Sequence, residues 1–274
     1  GAWRYPHDLA GMITEATARL AERRAAGSAC ADRFDHDGGV GRLAWSVLAD
    51  DPAEVVGAID DAIVAGARPE ELGRAVAYAA ALRITRFHTQ NDHGDWDEVH
   101  HAFTAANALH QGLRRAPSTA LLRGVYHGAL RVYLDRFLNI PAARLPGPAS
   151  PGSGGGGDAG DLAALQGCWD QEGRVDEAGA VVYRHLAAGG DPDRVIALLG
   201  RALLSEDAEF HWYQTYEAAV RQYQAWPRGS EEGALILAGT ARFLAAHTPT
   251  RRELAQVVTI ATRLGRGEAL FEDA

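Results

Sequence analysis

The sequence predicts an all-α fold, and three observations carry that expectation. Apolar residues recur at helical spacing through nearly every segment between breakers. Alternating β-branched runs, the mark of strands, are nearly absent. Proline or a capping side chain opens the apolar segments and glycine closes several of them. At 274 residues and 47% hydrophobic content the chain can bury a substantial core, and a single domain over residues 1–274 is expected.

The elements follow in order. Met12 to Ala26 reads as a first amphipathic helix, and Asp32 to Gly39 as a polar, glycine-rich loop. Pro52–Ala65 and Pro69–Gln90 are the next helices, with Gly66 as the stop between them. Asn91-Asp92-His93-Gly94 has turn chemistry, and Asp95 is a natural cap for a helix running to Arg115. Pro117 opens a helix over Ser118–Asn139. The stretch 146–161 is rich in Gly, Pro and Ser, cannot pack a core, and reads as a linker. Beyond it come helices over Ala163–Gln166, Glu177–Ala188, Asp193–Ala225, Glu231–His247 and Pro249–Leu264.

A duplication is legible in this order. Laid without a gap at an offset of 123 residues, Glu54 falls on Glu177, Ala65-Gly66 on Ala188-Gly189, Pro69 on Pro192, Ala79 on Ala202 and Phe87-His88 on Phe210-His211. Past the histidine the offset grows to 132, with Pro117 on Pro249, and the added residues fall near Trp226–Ser230. The expected bundle therefore has two sequence-related halves, about 50–145 and 170–274, and its shared site is expected between them.

Composition narrows the function classes. A net charge of −9 without a basic block argues against nucleic acid, whose phosphates need a clustered positive footprint. There is no lysine, the mark of GC-rich coding, so Schiff-base chemistry and lysine-derived carbamate ligands are excluded. Cys30 and Cys168 are isolated, which gives neither a disulfide framework nor a thiolate metal site. Ala234–Ala246, the longest apolar stretch, is interrupted by Arg242 and too short to span a bilayer. No signal peptide is recognisable, so a soluble cytoplasmic protein is expected.

Eleven histidines are present, and six lie on predicted helices around one stretch of sequence and its repeat: His88, His100, His101, His110, His127 and His211. Several imidazoles buried together cannot all be charged, and a divalent metal binds them neutral. These six are the candidate metal ligands. His88 and His211 lead through the repeat, and His127 sits between Gly124 and Gly128, which allow close approach. His110 lies in the middle of an apolar stripe, where a hydrogen-bonded core residue is the competing reading. Of His100 and His101, one is expected inward and one solvated. Asp207 and Glu209 are the candidate catalytic carboxylates, to orient ligands or carry protons. His7, His36, His93, His185 and His247 have surface or loop contexts, and Trp96, Trp169, Trp212 and Trp226 suit either a pocket wall or core.

The runs Phe87–Asn91, Asp95-Trp96-Asp97, Val99–Thr104, Ala106–Gln111, Tyr126–Ala129, Tyr133–Asn139 and Glu206–His211 resemble a helical module of bacterial Rieske-type fusion proteins, over residues 50 to 274. Two isolated cysteines cannot supply a Rieske cluster, so the resemblance implies no Fe–S cluster on this chain and a Rieske-type or other electron-transfer partner. In histidine-rich helical architecture the chain is also similar to questin-oxidase-like oxygenases. That likeness implies iron held by histidines, with no lysine here to complete the set. The resulting expectation is a non-haem Fe(II) oxygenase, a metal-dependent oxidoreductase acting on a small natural-product-like molecule. The alternatives are a haem-binding or non-catalytic helical module and a zinc-type metallohydrolase.

Overall fold

The structure, a computed structural model, describes residues 7–27, 34, 38–147 and 162–268. Among these residues every regular element is helical. The helices are α1 (Leu9–Ala18), α2 (Leu20–Gly27), α3 (Gly39–Val47), α4 (Pro52–Val64), α5 (Pro69–Thr85), α6 (His93–Arg115) and α7 (Thr119–Leu134), then α8 (Ala163–Trp169), α9 (Val175–Ala187), α10 (Pro192–Ser205), α11 (Phe210–Tyr223), α12 (Glu231–His247) and α13 (Glu253–Gly265). A 3₁₀ turn, Asp135–Leu138, follows α7. No helix of the described residues is long and apolar enough to cross a membrane. The predicted linker lies outside the described residues except at 146 and 147, as do Cys30 and His36.

Two helices form the middle of the bundle. α5 is buried almost end to end because its alanines present small faces on all sides, and it packs on α3, α6, α7 and α12. α12 is equally buried and packs on α5, α9, α10 and α11. Where α5 and α12 cross, Gly239 is required: a Cβ there would stand 2.4 Å from Thr85 Oγ1. The Thr85 hydroxyl in turn is shared between Ala81 O at 2.8 Å in its own helix and Leu235 O at 3.0 Å in α12. The interruption at Arg242 is a buried anchor, since its Nη2 donates to Phe87 O at 2.6 Å and its Nη1 pairs with Asp176. One hydrophobic cluster runs from Ile13 to Ala245 through both predicted halves. The ungapped register aligns α5 with α10, whereas the partner of α5 across the middle is α12.

Several boundaries differ from the expectation, each for a local reason. The first helix is broken at Arg19 into α1 and α2. An unpredicted helix, α3, buries Val40, Leu43, Ala44 and Val47 on one face. α6 starts earlier because Asp92, not Asp95, is the cap; its side chain accepts from Asp95 N–H at 3.0 Å. The long Asp193–Ala225 helix is two helices, parted at Glu206 because that carboxylate turns away to accept from Thr250 N–H at 2.8 Å.

Candidate metal centre

The start of α6, the start of α11 and the end of α12 bring imidazoles together. His100, His101 and His211 each offer a nitrogen, and these three atoms lie within 4.8 Å of one another. Ring centroids are 4.2 Å apart for His100–His101, 5.2 Å for His100–His211 and 4.8 Å for His101–His211. His100 is 0% exposed, His211 half-buried and His101 exposed, so the group runs from core to surface. Adjacent positions on a helix differ by about 100°, which splits His100 inward and His101 outward as expected.

The protonation state of His100 follows from its neighbours. Thr215 has one hydroxyl proton and donates it to His211 O at 3.0 Å, one turn back in α11. Its oxygen is then an acceptor for His100 Nδ1–H at 3.3 Å. With the proton on Nδ1, Nε2 carries a lone pair, and that buried atom has no hydrogen-bond partner. Burial first, then His101, His211 and His247, hold the imidazole down at about 3, so it stays neutral. Asp97 Oδ1 stands 3.7 Å from His100 Nε2, too far for a hydrogen bond.

His247 belongs to the same neighbourhood, against the surface context expected from the sequence. Its Nδ1–H donates to Phe243 O at 2.7 Å, and its Nε2 lies 3.7 Å from the same Asp97 oxygen. Phe243 and Trp212 pack on its ring at 4.4 and 5.3 Å. His247 and Trp96 also line a cleft of about 280 Å³ with Thr89, Asn91, Asp92 and Pro249, so the histidine that faces Asp97 beside the group of three reaches this space.

The other candidates fall elsewhere. His88 is not in the group of three; it follows α5, half-buried, and its Nδ1 accepts from Gln90 N–H at 3.2 Å. His110 is a core residue of α6, bonded to Gln222. His127 is exposed on α7, and the glycines beside it serve helix packing: added Cβ atoms would meet Leu109 at Gly124 and Val76 at Gly128. Asp207 is a structural cap, its carboxylate accepting from Glu253 and Leu254 N–H at 2.9 and 2.8 Å at the head of α13. Those backbone bonds, from Leu254 first, hold its pKa below the ordinary carboxylate value. Glu209 is the exposed N-cap residue of α11 and makes no capping bond through its side chain. Trp96, Trp169 and Trp212 are buried; Tyr213 is exposed.

The donor set suits a divalent cation on chemical grounds. Two imidazole nitrogens bound tetrahedrally to one ion are about 3.4 Å apart at bond lengths near 2.1 Å. A spread of up to 4.8 Å therefore needs the rings to close in by more than an ångström, a movement that side-chain rotation of the half-buried His211 and the exposed His101 can supply. The orphaned lone pair of His100 gains a partner, and Asp97 is placed to join or to orient a ligand. Comparison of the chain with protein-family models, curated proteins and solved structures finds no match.

Proposed function

We propose that the chain is a metal-dependent oxidoreductase of the non-haem iron type, with His100, His101 and His211 as ligands and Asp97 as the supporting carboxylate. The observation that carries the reading is the buried Nε2 of His100, left without a hydrogen-bond partner beside His101 and His211. Nitrogen and carboxylate donors with open positions are the set used by Fe(II) oxygenases, where the metal supplies dioxygen activation. The cleft beside His247 would hold a small organic substrate, with Trp96 as an apolar wall and Asn91 and Asp92 as polar contacts. Asp97 would fix ligand orientation, and His247, on the cleft side, would hold or move a proton at Nε2. His101, on the exposed side, offers the approach for an external electron donor.

The three-histidine set favours one second reading, a zinc-dependent hydrolase, because catalytic zinc uses three protein ligands and an open position. Elemental analysis of protein purified without chelators, followed by oxygen uptake after anaerobic Fe(II) loading, tests the choice. About one iron per chain and metal-dependent oxygen consumption are expected. Zinc retention without oxygen consumption would favour the hydrolase, and failure to retain any divalent metal would refute both.

A further inference from the structure

On the other side of the segment that follows α5, the ends of α3, α5 and α7 surround a second cleft, of about 620 Å³. It shares no residue with the histidine group. Its walls are Leu48, Phe137, Ile140 and Pro141 on the apolar side, and Arg83, Arg86, Arg136 and Asn139 on the polar side. Among the described residues Asp50 is the single carboxylate lining it. We propose that this cleft binds a small organic carboxylate, gripped by the arginines and further read by Asn139.

Part of the positive charge has a structural use. Three helix C-termini converge here, each bearing a partial negative charge, and cations at such ends are favourable. Arg83 Nη2 donates to Val132 O and Arg136 Nη1 to Tyr133 O, at 3.3 and 3.2 Å, in the last turn of α7. Those bonds leave most of each guanidinium fork unused. Arg83 is 6% exposed, yet its Nε has no partner among the described residues. Asn139 is 5% exposed, and its Oδ1 is likewise unpartnered. Two residues lining one cleft thus each keep a buried polar atom without a partner, one a donor and one an acceptor, and such atoms are costly unless something completes them.

A carboxylate with a neighbouring hydroxyl or amine has the matching pattern. Its oxygens accept from a guanidinium fork, and its own donor reaches the Asn139 oxygen. Arg136 is pre-oriented by stacking over Tyr133 and Phe137, at 3.6 and 3.9 Å, and Arg86 lies 5.9 Å from the Trp45 ring. Burial lowers Arg83 only to about 10, so it remains a cation at neutral pH, while burial lifts nearby Asp135 to about 7 and weakens its competition. The apolar wall suits a hydrocarbon tail rather than a bare inorganic anion.

The test is calorimetric titration of the full chain with lactate, 3-hydroxybutyrate, mandelate and benzoate against sodium chloride at equal ionic strength. Lactamide and inorganic phosphate serve as controls. At least one carboxylate should bind saturably, while lactamide should not. Arg86→Gln and Arg136→Gln should each weaken binding at least ten-fold with unchanged helicity, and His211→Ala should leave it intact. The proposal is overturned if no carboxylate binds beyond the chloride background, if binding survives both arginine substitutions, or if phosphate alone binds. Loss in His211→Ala with retention in Arg86→Gln would place the carboxylate at the histidines and equally overturn it.

Discussion

Helix α6 buries two imidazoles, His100 near its start and His110 near its end, about 15 Å apart at the usual helical rise. Both are stripped of water and both are held neutral, at about 3 and about 4. Their neighbours differ. Gln222, 0% exposed, gives one amide N–H to Asn107 Oδ1 at 2.7 Å and the other to His110 Nδ1 at 3.0 Å. Asn107 passes the chain on to Glu217, and Arg221 ends it. An amide is donor and acceptor at once, so it completes an imidazole in the core. Around His100, Thr215 meets Nδ1 at 3.3 Å, while Nε2 has no hydrogen-bond partner although His101 and His211 stand beside it. Burial and lowered basicity are thus common to a core histidine and a candidate ligand; the chemistry of the adjoining side chains separates them.

The largest effect that sharpens this contrast is on metal affinity. His100→Ala or His211→Ala should weaken divalent-metal binding by at least about a hundred-fold, since a lost ligand costs more than the 10–100-fold of a lost outer contact. His110→Gln should leave affinity unchanged, and competitive titration against a chromophoric chelator reads both. Asp97→Asn should fall between them, at roughly ten-fold.

Stability should show the reverse order. Gln222→Leu strands His110 Nδ1 and Asn107 Oδ1, at a cost of about 1–3 kcal/mol. Calorimetry should then record a Tm lower by roughly 2–10 °C, without loss of metal. Metal loss in this variant would break the comparison.

The pH dependence follows the same logic at His110. Its folded-state basicity is depressed by burial first, with Arg74 and Arg114 adding repulsion. Below the ordinary value of 6.5 the unfolded chain takes up a proton that the folded chain refuses until about 4. Stability from this residue is therefore complete above pH 6.5 and is lost as pH falls toward 4. The slope is about 1.4 kcal/mol per pH unit. Denaturant melts of the wild type and His110→Gln across that window should differ by this slope, and parallel curves would contradict it.

The smallest effects concern the carboxylates first assigned to catalysis. Glu209→Gln should change neither metal affinity nor stability measurably. Asp207→Ala should spare metal binding and raise hydrogen exchange at Glu253 and Leu254, whose N–H groups it caps.

Much of the fold was legible in the sequence, because amphipathic spacing and proline starts are local signals: Pro52, Pro69 and Pro192 each open a helix where expected. α3 escaped notice because Gly38, Gly39 and Gly41 mask the stripe formed by Val40, Leu43, Ala44 and Val47. The break after Ser205 has no glycine or proline to announce it; it is set by Glu206 reaching Thr250 and Arg252 across the chain. The site was half legible. The histidine-rich start of α6 stood out, but the repeat favoured His88, and sequence equivalence between two positions does not place them in contact. His247 was hidden at a predicted helix end, where solvent exposure is the usual outcome. Its i−4 partner Phe243 was the available signal of burial.

The central claim is that three imidazoles share one cation, and X-ray absorption of the zinc-loaded chain reads this directly. The account predicts imidazole scattering from three histidines at about 2.0–2.1 Å, falling to two in His211→Ala and unchanged in His110→Gln. Zinc that dialyses away, or a coordination shell indifferent to His211, would contradict it.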